Sequence, residues 1–264
     1  MNVIRGEILK LLTLRLVLWT ILLAVGCGAL LTGVLALVGP ENATPPLPGL
    51  ETADGVAIVL GLPAVLLFVP ALVGTIAITS EYRHRTIGTT FLAVPRRGQV
   101  LGAKLVAFTL LGLAYGVVAS VVSGAALFAG AAVRGVTVPV SVGDVVLPLL
   151  QLALAAAVYT VLGVGIGALA RNQLVAVGVV LGYFYFLEFV LMMLPGVSSL
   201  YPFMPGGATA SLTSFSFLTD TLAEQTSLSP APLVSPLAGA VILLAYAGVA
   251  GLLAVVVTLR RDLR

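Results

Sequence analysis

Six long apolar segments constrain this chain more than any other feature of its sequence. About 20 apolar residues in an α-helix cross a hydrocarbon core of about 30 Å. Inside lipid every backbone polar group needs an internal partner, which a helix provides. The sequence therefore predicts an all-α polytopic integral membrane protein with six transmembrane helices, near residues 16–38, 56–78, 101–133, 145–170, 174–194 and 236–259.

Composition supports a membrane protein and excludes several classes of function. Only 9% of the 264 residues are charged, whereas an ordinary soluble domain has about 25%. The formal net charge of +3 comes without a clustered basic face on a water-exposed domain, so we expect no nucleic acid partner. One cysteine, Cys27, and one histidine, His84, cannot form a Cys/His metal site. We expect no metal or cofactor in this chain.

Basic residues predict the orientation, because short cytoplasmic loops retain Lys and Arg. With the N-terminus inside, Arg134 is the only basic residue that falls on the outer side. An even number of spans then leaves both termini in the cytoplasm. We therefore expect a multi-pass protein of the plasma membrane, which in a bacterium is the inner membrane.

Two segments beside the spans are predicted to be structured. In residues 1–15, Ile4, Ile8 and Leu11 recur at helical spacing, which is typical of an interfacial helix on the inner leaflet; a frayed N-terminus is the alternative. Residues 195–235 are rich in proline, yet "SLYPFMPGGATASLTSFSFL" within them is too apolar for a freely solvated loop. We expect part of this outer segment to be a re-entrant or interfacial element, with protein or a wet cavity around its backbone.

Prolines and glycines within the spans predict local geometry. Pro63 and Pro70 remove backbone donors from the second span, so we expect a bend there. Glycine lets neighbouring helices approach closely. The fourth and fifth spans carry such residues at Gly163, Gly165 and Gly167 and at Gly178 and Gly182.

Residues 79–95, between the second and third spans, are predicted to form a separate cytoplasmic helix. Thr79 or Ser80 is suited to cap its start, and Pro95 ends it. Apolar side chains at i, i+4 and i+7 make one face hydrophobic. These are Ile87, Phe91 and Val94.

Two interpretations apply to this helix. In the first, its apolar face rests on lipid head groups and its arginines serve topology alone. In the second, it docks a cytoplasmic partner. Docking is favoured because topology requires positive charge but no carboxylate, phenol or imidazole, and Glu81, Tyr82 and His84 add all three.

The same segment resembles one in type-2 ABC transporter permeases, which reads roughly Glu-Tyr-Arg-His/Asn-Gly-Thr-Ile/Leu, then Pro with basic residues, then a Leu-rich run containing Lys. Arg85 stands where the family often has glycine, which would change the helix surface without removing the helix. The rest of the chain agrees with the family in layout: six spans, an amphipathic N-terminal helix and a Pro-rich outer segment. The matching residues are Glu81, Tyr82, Arg83, His84, Thr86, Ile87, Pro95, Arg96, Arg97 and Lys104.

The resemblance implies a single transmembrane permease domain over residues 1–264 that works as half of a transporter. In the family, two permease subunits, identical or different, pair with two cytoplasmic ATPase subunits that bind ATP and Mg. Residues 79–95 would then be the coupling helix that transmits ATPase movement to the substrate path. The resemblance also points to export of drug-like molecules, peptides, lipids or polysaccharide precursors. The implied ATPase contacts are Glu81, Tyr82, Arg83, His84, Arg85 and Thr86.

The sequence carries no motif for ATP hydrolysis or proteolysis. A Walker A loop needs Gly-Lys-Ser/Thr, but Lys10 and Lys104 are each followed by leucine. The longest stretch between spans, residues 195–235, is shorter than the about 50 residues of a small domain. One histidine cannot supply the His-Glu-x-x-His of a zinc protease. We therefore expect that this chain is not an enzyme and that a separate subunit hydrolyses ATP.

Glu188 is the one carboxylate within a predicted span, in "LGYFYFLEFVLMML". A charge near mid-bilayer costs about 2.5–3.5 kcal/mol on insertion scales, so Glu188 is expected to face protein or water. The alternative is that it reaches outward to the interface or is neutral. With Tyr185 it is a candidate for the substrate path, although such aromatic residues also serve as packing anchors. If Glu188 titrates, the alternative function is an ion-coupled secondary transporter; a non-transporting membrane assembly factor is a further alternative.

Overall fold

The chain folds as a bundle of helices. The computed structural model describes residues 3–13, 15–44, 46–84, 97–170, 172–194, 197–226 and 230–260. Most of these residues are helical and none is in a strand, which confirms the all-α prediction. The helices are α1 (Val3–Thr13), α2 (Arg15–Val38), α3 (Ala53–Gly61), α4 (Phe68–Arg83), α5 (Arg97–Arg134), α6 (Val142–Ala170), α7 (Gln173–Leu181), α8 (Glu188–Met193), α9 (Pro205–Thr213), α10 (Phe217–Thr226) and α11 (Pro236–Arg260).

Six helical segments in the described part of the chain are long and apolar enough to cross a membrane, as the sequence predicts. The longest has 37 residues, which is about 55 Å of helix against a hydrocarbon core of about 30 Å. That helix must extend beyond the lipid. We number the segments span 1 (Arg15–Val38), span 2 (Ala53–Arg83), span 3 (Gly98–Arg134), span 4 (Val142–Ala170), span 5 (Gln173–Met193) and span 6 (Pro236–Val256).

Span 4 is the centre of the bundle. In its most apolar stretch 67% of the residues are buried, and it contacts spans 2, 3 and 6. A Cβ added at Gly163 would collide with the carbonyl oxygen of Ala71 on span 2. Across the same interface the Thr75 hydroxyl donates to the Gly163 carbonyl oxygen at 2.9 Å. The close approach predicted at span 4 is thus confirmed.

Span 5 lies at the periphery, with only 17% of its most apolar stretch buried. A Cβ added at Gly178 or Gly182 would meet no atom within 4 Å. The close approach predicted at these two glycines is therefore wrong. Glycine permits close packing, but it does so only where a neighbouring helix is present on the same side.

Spans 2 and 5 each contain a break in their α-helical hydrogen bonding. A 3₁₀ turn, Leu62–Leu67, separates α3 from α4 and carries Pro63 in its first positions. A residue without an N–H cannot continue the α-helical ladder, so this break agrees with the expectation from Pro63. In span 5 a π-helical turn, Gly182–Leu187, separates α7 from α8. It changes the direction of the side chains just before Glu188.

The N-terminal segment is helical, as predicted, and packs on the bundle. α1 contacts α5 and α2. Its Leu11 is buried in a cluster with Val73 of span 2 and Phe108 of span 3, and Ile8 packs against that cluster. Ile4 remains 43% exposed. Part of the apolar face of α1 therefore contacts protein rather than the lipid surface.

The outer segment folds onto the spans. A 3₁₀ turn, Ser198–Phe203, leads into α9, and α10 follows. α9 packs against α11 and α6, with Ala208 and Leu212 buried in the main core cluster. Seven of its nine residues are buried, so this segment is not a solvated loop. Whether it re-enters the bilayer stays a prediction.

The end of span 2 differs from the sequence prediction. α4 continues without interruption to Arg83, so Thr79 and Ser80 lie within it and do not cap a new helix. The Thr79 hydroxyl donates to the Thr75 carbonyl oxygen at 2.7 Å. The Ser80 hydroxyl donates to that of Ile76 at 2.6 Å. Hydroxyl groups that are suited to caps also bond back within a helix, which explains the error. The rest of the predicted coupling helix, residues 85–95, lies outside the described residues.

Candidate functional sites

A network of four charged side chains joins α1 to the facing ends of spans 2 and 3. Lys104 donates to Glu7 Oε2 at 3.0 Å and to Glu81 Oε1 at 2.6 Å. Lys10 donates to the same oxygen of Glu81 at 3.0 Å. We call Glu7, Lys10, Glu81 and Lys104 the charge cluster. Its two carboxylates and two ammonium groups alternate, and their formal charges cancel.

The charge cluster is largely removed from solvent. The side chain of Lys104 is 3% exposed, that of Glu7 8% and that of Glu81 12%, while Lys10 at 34% forms the rim. Burying single charges here would be costly, and pairing offsets that cost. The Lys104 ammonium also lies 5.9 Å from the centre of the Phe108 ring, which is within cation–π range. The cluster therefore holds its three helices in one arrangement.

The helices position the charge cluster through simple spacings. Glu7 and Lys10 are three residues apart on α1 and so share one face. Glu81 lies in the last turn of α4, and Lys104 lies two turns into α5. The cluster thus includes a residue on each side of residues 85–96. The four side chains of the cluster are carboxylates and ammonium groups that bind one another.

The structure separates the predicted ATPase contacts into different groups. Glu81 is turned into the charge cluster, and Tyr82 packs against Val100 at the start of α5. Arg83 and His84 are exposed. Arg85 and Thr86 lie outside the described residues. Contact with an ATPase stays a prediction for all six.

Glu7, Lys10 and Lys104 were missed as site residues by sequence reasoning. Their signal was present, because an acid in an amphipathic helix and a lysine inside an apolar run both need partners if buried. The sequence does not predict which of them pair, because 97 positions separate Glu7 from Lys104.

A second site is a cavity of about 460 Å³ around Glu188, which we call the Glu188 cavity. Residues of spans 2, 4 and 5 and of the outer segment, from Tyr201 to Leu218, line it. Eight aromatic residues contribute to its walls: Phe68, Tyr159, Phe184, Tyr185, Phe186, Phe189, Tyr201 and Phe215.

Glu188 faces this cavity from the first position of α8. Glu188 is only 6% exposed. This confirms the expectation that it faces inward rather than reaching outward to the interface. The backbone N–H of Gly206 donates to both carboxylate oxygens, at 3.1 and 3.2 Å. Gly206 lies in the first turn of α9, whose positive end favours an anion. A Cβ at Gly206 would collide with the Glu188 carboxylate, so a side chain at this position would displace the carboxylate.

Tyr185 and Tyr201 both line the Glu188 cavity and differ in their exposure. Tyr185 is 66% exposed and stacks edge-on with Phe68 of span 2 at 5.8 Å between ring centres. Tyr201 is buried. Burial raises the pKa of the Tyr201 phenol well above its ordinary value, and the nearby Glu188 carboxylate acts in the same direction. Tyr201 therefore stays a neutral hydrogen-bonding group at physiological pH.

Comparison with known proteins identifies a family. A family profile described as "ABC-2 family transporter protein" matches residues 3–188, which is more than half of the chain. The match begins at α1 and ends at Glu188, so it includes the charge cluster and spans 1 to 4. A search of curated proteins finds no significant match.

Proposed function

The chain belongs to the ABC-2 transporter family and is a membrane permease of an ABC transporter, and we propose that it is an exporter subunit driven by a separate ATPase. The 264 residues contain no Gly-Lys-Ser/Thr motif, so the proposal assigns ATP and Mg to that partner. The permease would work as a pair, with an identical or related second subunit. Both termini would lie in the cytoplasm, in keeping with the distribution of Lys and Arg.

The charge cluster is the observation that carries this proposal. It ties α1 to the helices on both sides of residues 85–96, a stretch that includes most of the predicted coupling helix, residues 79–95. A cytoplasmic motor that pushes on this segment would move spans 2 and 3 together with α1, because buried ion pairs resist separation. Arg83 and His84, which are exposed beside the cluster, would provide part of the docking surface.

α4 supplies a route from the charge cluster to the Glu188 cavity. It is an unbroken helix of 16 residues, or about 24 Å. Glu81 near one end belongs to the charge cluster, and Phe68 at the other end lines the cavity. The 3₁₀ turn Leu62–Leu67 lies next to Phe68, on the outer side of α4, and would act as the hinge between α3 and α4. We propose that the cavity, with Glu188 and Tyr185, is part of the substrate path.

Co-purification tests the partner. The full chain is expressed with its candidate ATPase and purified in detergent. The amount of ATPase that stays bound to it is measured in the absence of nucleotide, in the presence of ATP and in the presence of ADP. An Arg83→Ala, His84→Ala double variant is expected to reduce retention by about tenfold, as truncation of interface anchors does. Arg5→Ala, an exposed arginine on α1, is the matched control and should retain the ATPase. If the wild type retains no ATPase in any nucleotide state, the proposal fails.

A Glu81→Gln variant distinguishes positioning from docking. The carboxylate of Glu81 already binds Lys104 and Lys10, so we expect this variant to bind the ATPase while losing coupling of ATP hydrolysis to transport. If it loses ATPase binding as completely as the Arg83→Ala, His84→Ala variant, Glu81 is a direct contact, as the sequence predicted.

A further inference from the structure

We propose that the Glu188 cavity binds hydrophobic organic cations. The inference deepens the proposed function and rests on it, because it names the class of molecule that the substrate path would accept. Three properties of the cavity carry it: an unneutralised carboxylate, aromatic walls and a matching size.

Among the described residues, the carboxylate of Glu188 has no positively charged partner. The hydrogen bonds that it accepts from them come from one neutral donor, the Gly206 N–H. Residues 46–82, 135–170 and 172–259, which supply every residue of the cavity wall, contain no Lys, Arg or His. A buried carboxylate is stable only when it is paired, protonated or bound to a cation. A cationic ligand would complete the site.

The rings around Glu188 suit an organic cation better than a metal ion. Tyr159 and Phe184 lie 5.0 Å apart between ring centres, and Phe68 meets Tyr185 edge-on. Aromatic faces attract organic cations within about 6 Å, and apolar walls favour the hydrophobic body of such a ligand. No group of three or more His, Cys, Asp or Glu occurs among the described residues, so the described part of this cavity lacks the ligand set of a metal site.

The size and access of the cavity agree with this class of ligand. Its volume of about 460 Å³ falls within the roughly 300–1,000 Å³ that is usual for sites of small organic molecules. The exposed Tyr185 lies at its edge. A ligand would therefore enter beside span 5, the most peripheral span, and place its charge against Glu188.

Equilibrium binding of tetraphenylphosphonium tests the proposal, with tetraphenylborate as the anion of similar shape. The full permease chain is placed in nanodiscs of zwitterionic phosphatidylcholine, so that anionic lipids do not bind the probe. Four proteins are compared: wild type, Glu188→Gln, Glu188→Asp and Asp220→Asn. Asp220 is an exposed carboxylate of the outer segment and serves as the matched control. Gel filtration of each variant shows whether it is folded.

We expect saturable binding of the cation to wild type and a weakening of about tenfold or more in Glu188→Gln, as for the loss of a charged partner. Glu188→Asp should keep part of the affinity, and Asp220→Asn all of it. The proposal is overturned if the wild type does not bind the cation, if tetraphenylborate competes equally, or if folded Glu188→Gln binds as well as wild type. Equal losses in Glu188→Gln and Glu188→Asp would overturn it too.

This assay is independent of the ATPase. If the cation binds but no ATPase is retained in co-purification, the proposed function fails and the site stands. If the ATPase is retained and the cation does not bind, the exporter proposal stands and the ligand class is wrong.

Discussion

Lys104→Met should destabilise the protein strongly, because Lys104 holds two buried carboxylates together. Its ammonium lies 3.0 Å from Glu7 Oε2 and 2.6 Å from Glu81 Oε1. At an effective dielectric constant of about 20, each contact corresponds to an attraction of about 6 kcal/mol. Desolvation offsets much of this, and removal of one partner from a buried pair costs about 3–5 kcal/mol net. Methionine conserves the volume, so the lost charge dominates the change.

The free energy of unfolding is measured by titration with SDS, followed by far-UV circular dichroism. Lys104→Met is expected to unfold at clearly lower SDS than wild type. Glu7→Gln added to it should restore part of the stability, because Glu7 has no other ion pair in the described chain, whereas Glu81 keeps Lys10. A double-mutant cycle of these two substitutions should give a coupling energy of about 0.5–3 kcal/mol between Lys104 and Glu7. Equal unfolding of Lys104→Met and wild type, or additive effects in the double variant, would refute this account of the charge cluster.

Further predictions concern packing and topology. Gly163→Ala should lower the free energy of unfolding by about 1–3 kcal/mol, because its Cβ would meet span 2. Gly178→Ala should leave the free energy of unfolding equal or raise it by about 0.5–1 kcal/mol, because alanine has the higher helix propensity. Similar losses in both variants would contradict the packing of span 4. In a Cys27→Ala background, Ser141→Cys should react with a membrane-impermeant thiol reagent that is added outside intact cells. His84→Cys should react only after the membrane is opened. The reverse result would invert the orientation.

Much of the architecture follows from local sequence. Each span could be located because a run of about 20 apolar residues is stable in lipid whatever its neighbours are. Glu188 stood out for the same reason, since a carboxylate in such a run needs a special environment. The helical α1 followed from the spacing of its apolar residues.

Errors arose where one local pattern has two structural outcomes. Thr79 and Ser80 are residue types that cap helices, but here they bond back within α4. Gly163 and Gly178 are the same residue in equally apolar helices, yet only Gly163 meets another helix. Burial of a helix face depends on neighbours from distant parts of the chain, which local spacing does not contain.

The sequence by itself determined that the chain is a six-span membrane protein with one carboxylate in a span and a segment typical of transporter permeases. It could do so because hydrophobicity and short motifs depend on neighbouring residues. Only the tertiary structure decided which charges meet. Glu7 and Lys104 are brought together by the packing of α1 on span 3, and Glu188 meets Gly206 because α9 folds back onto the bundle. A buried charge is stable only beside its partner, and the position of that partner is set by how whole helices pack.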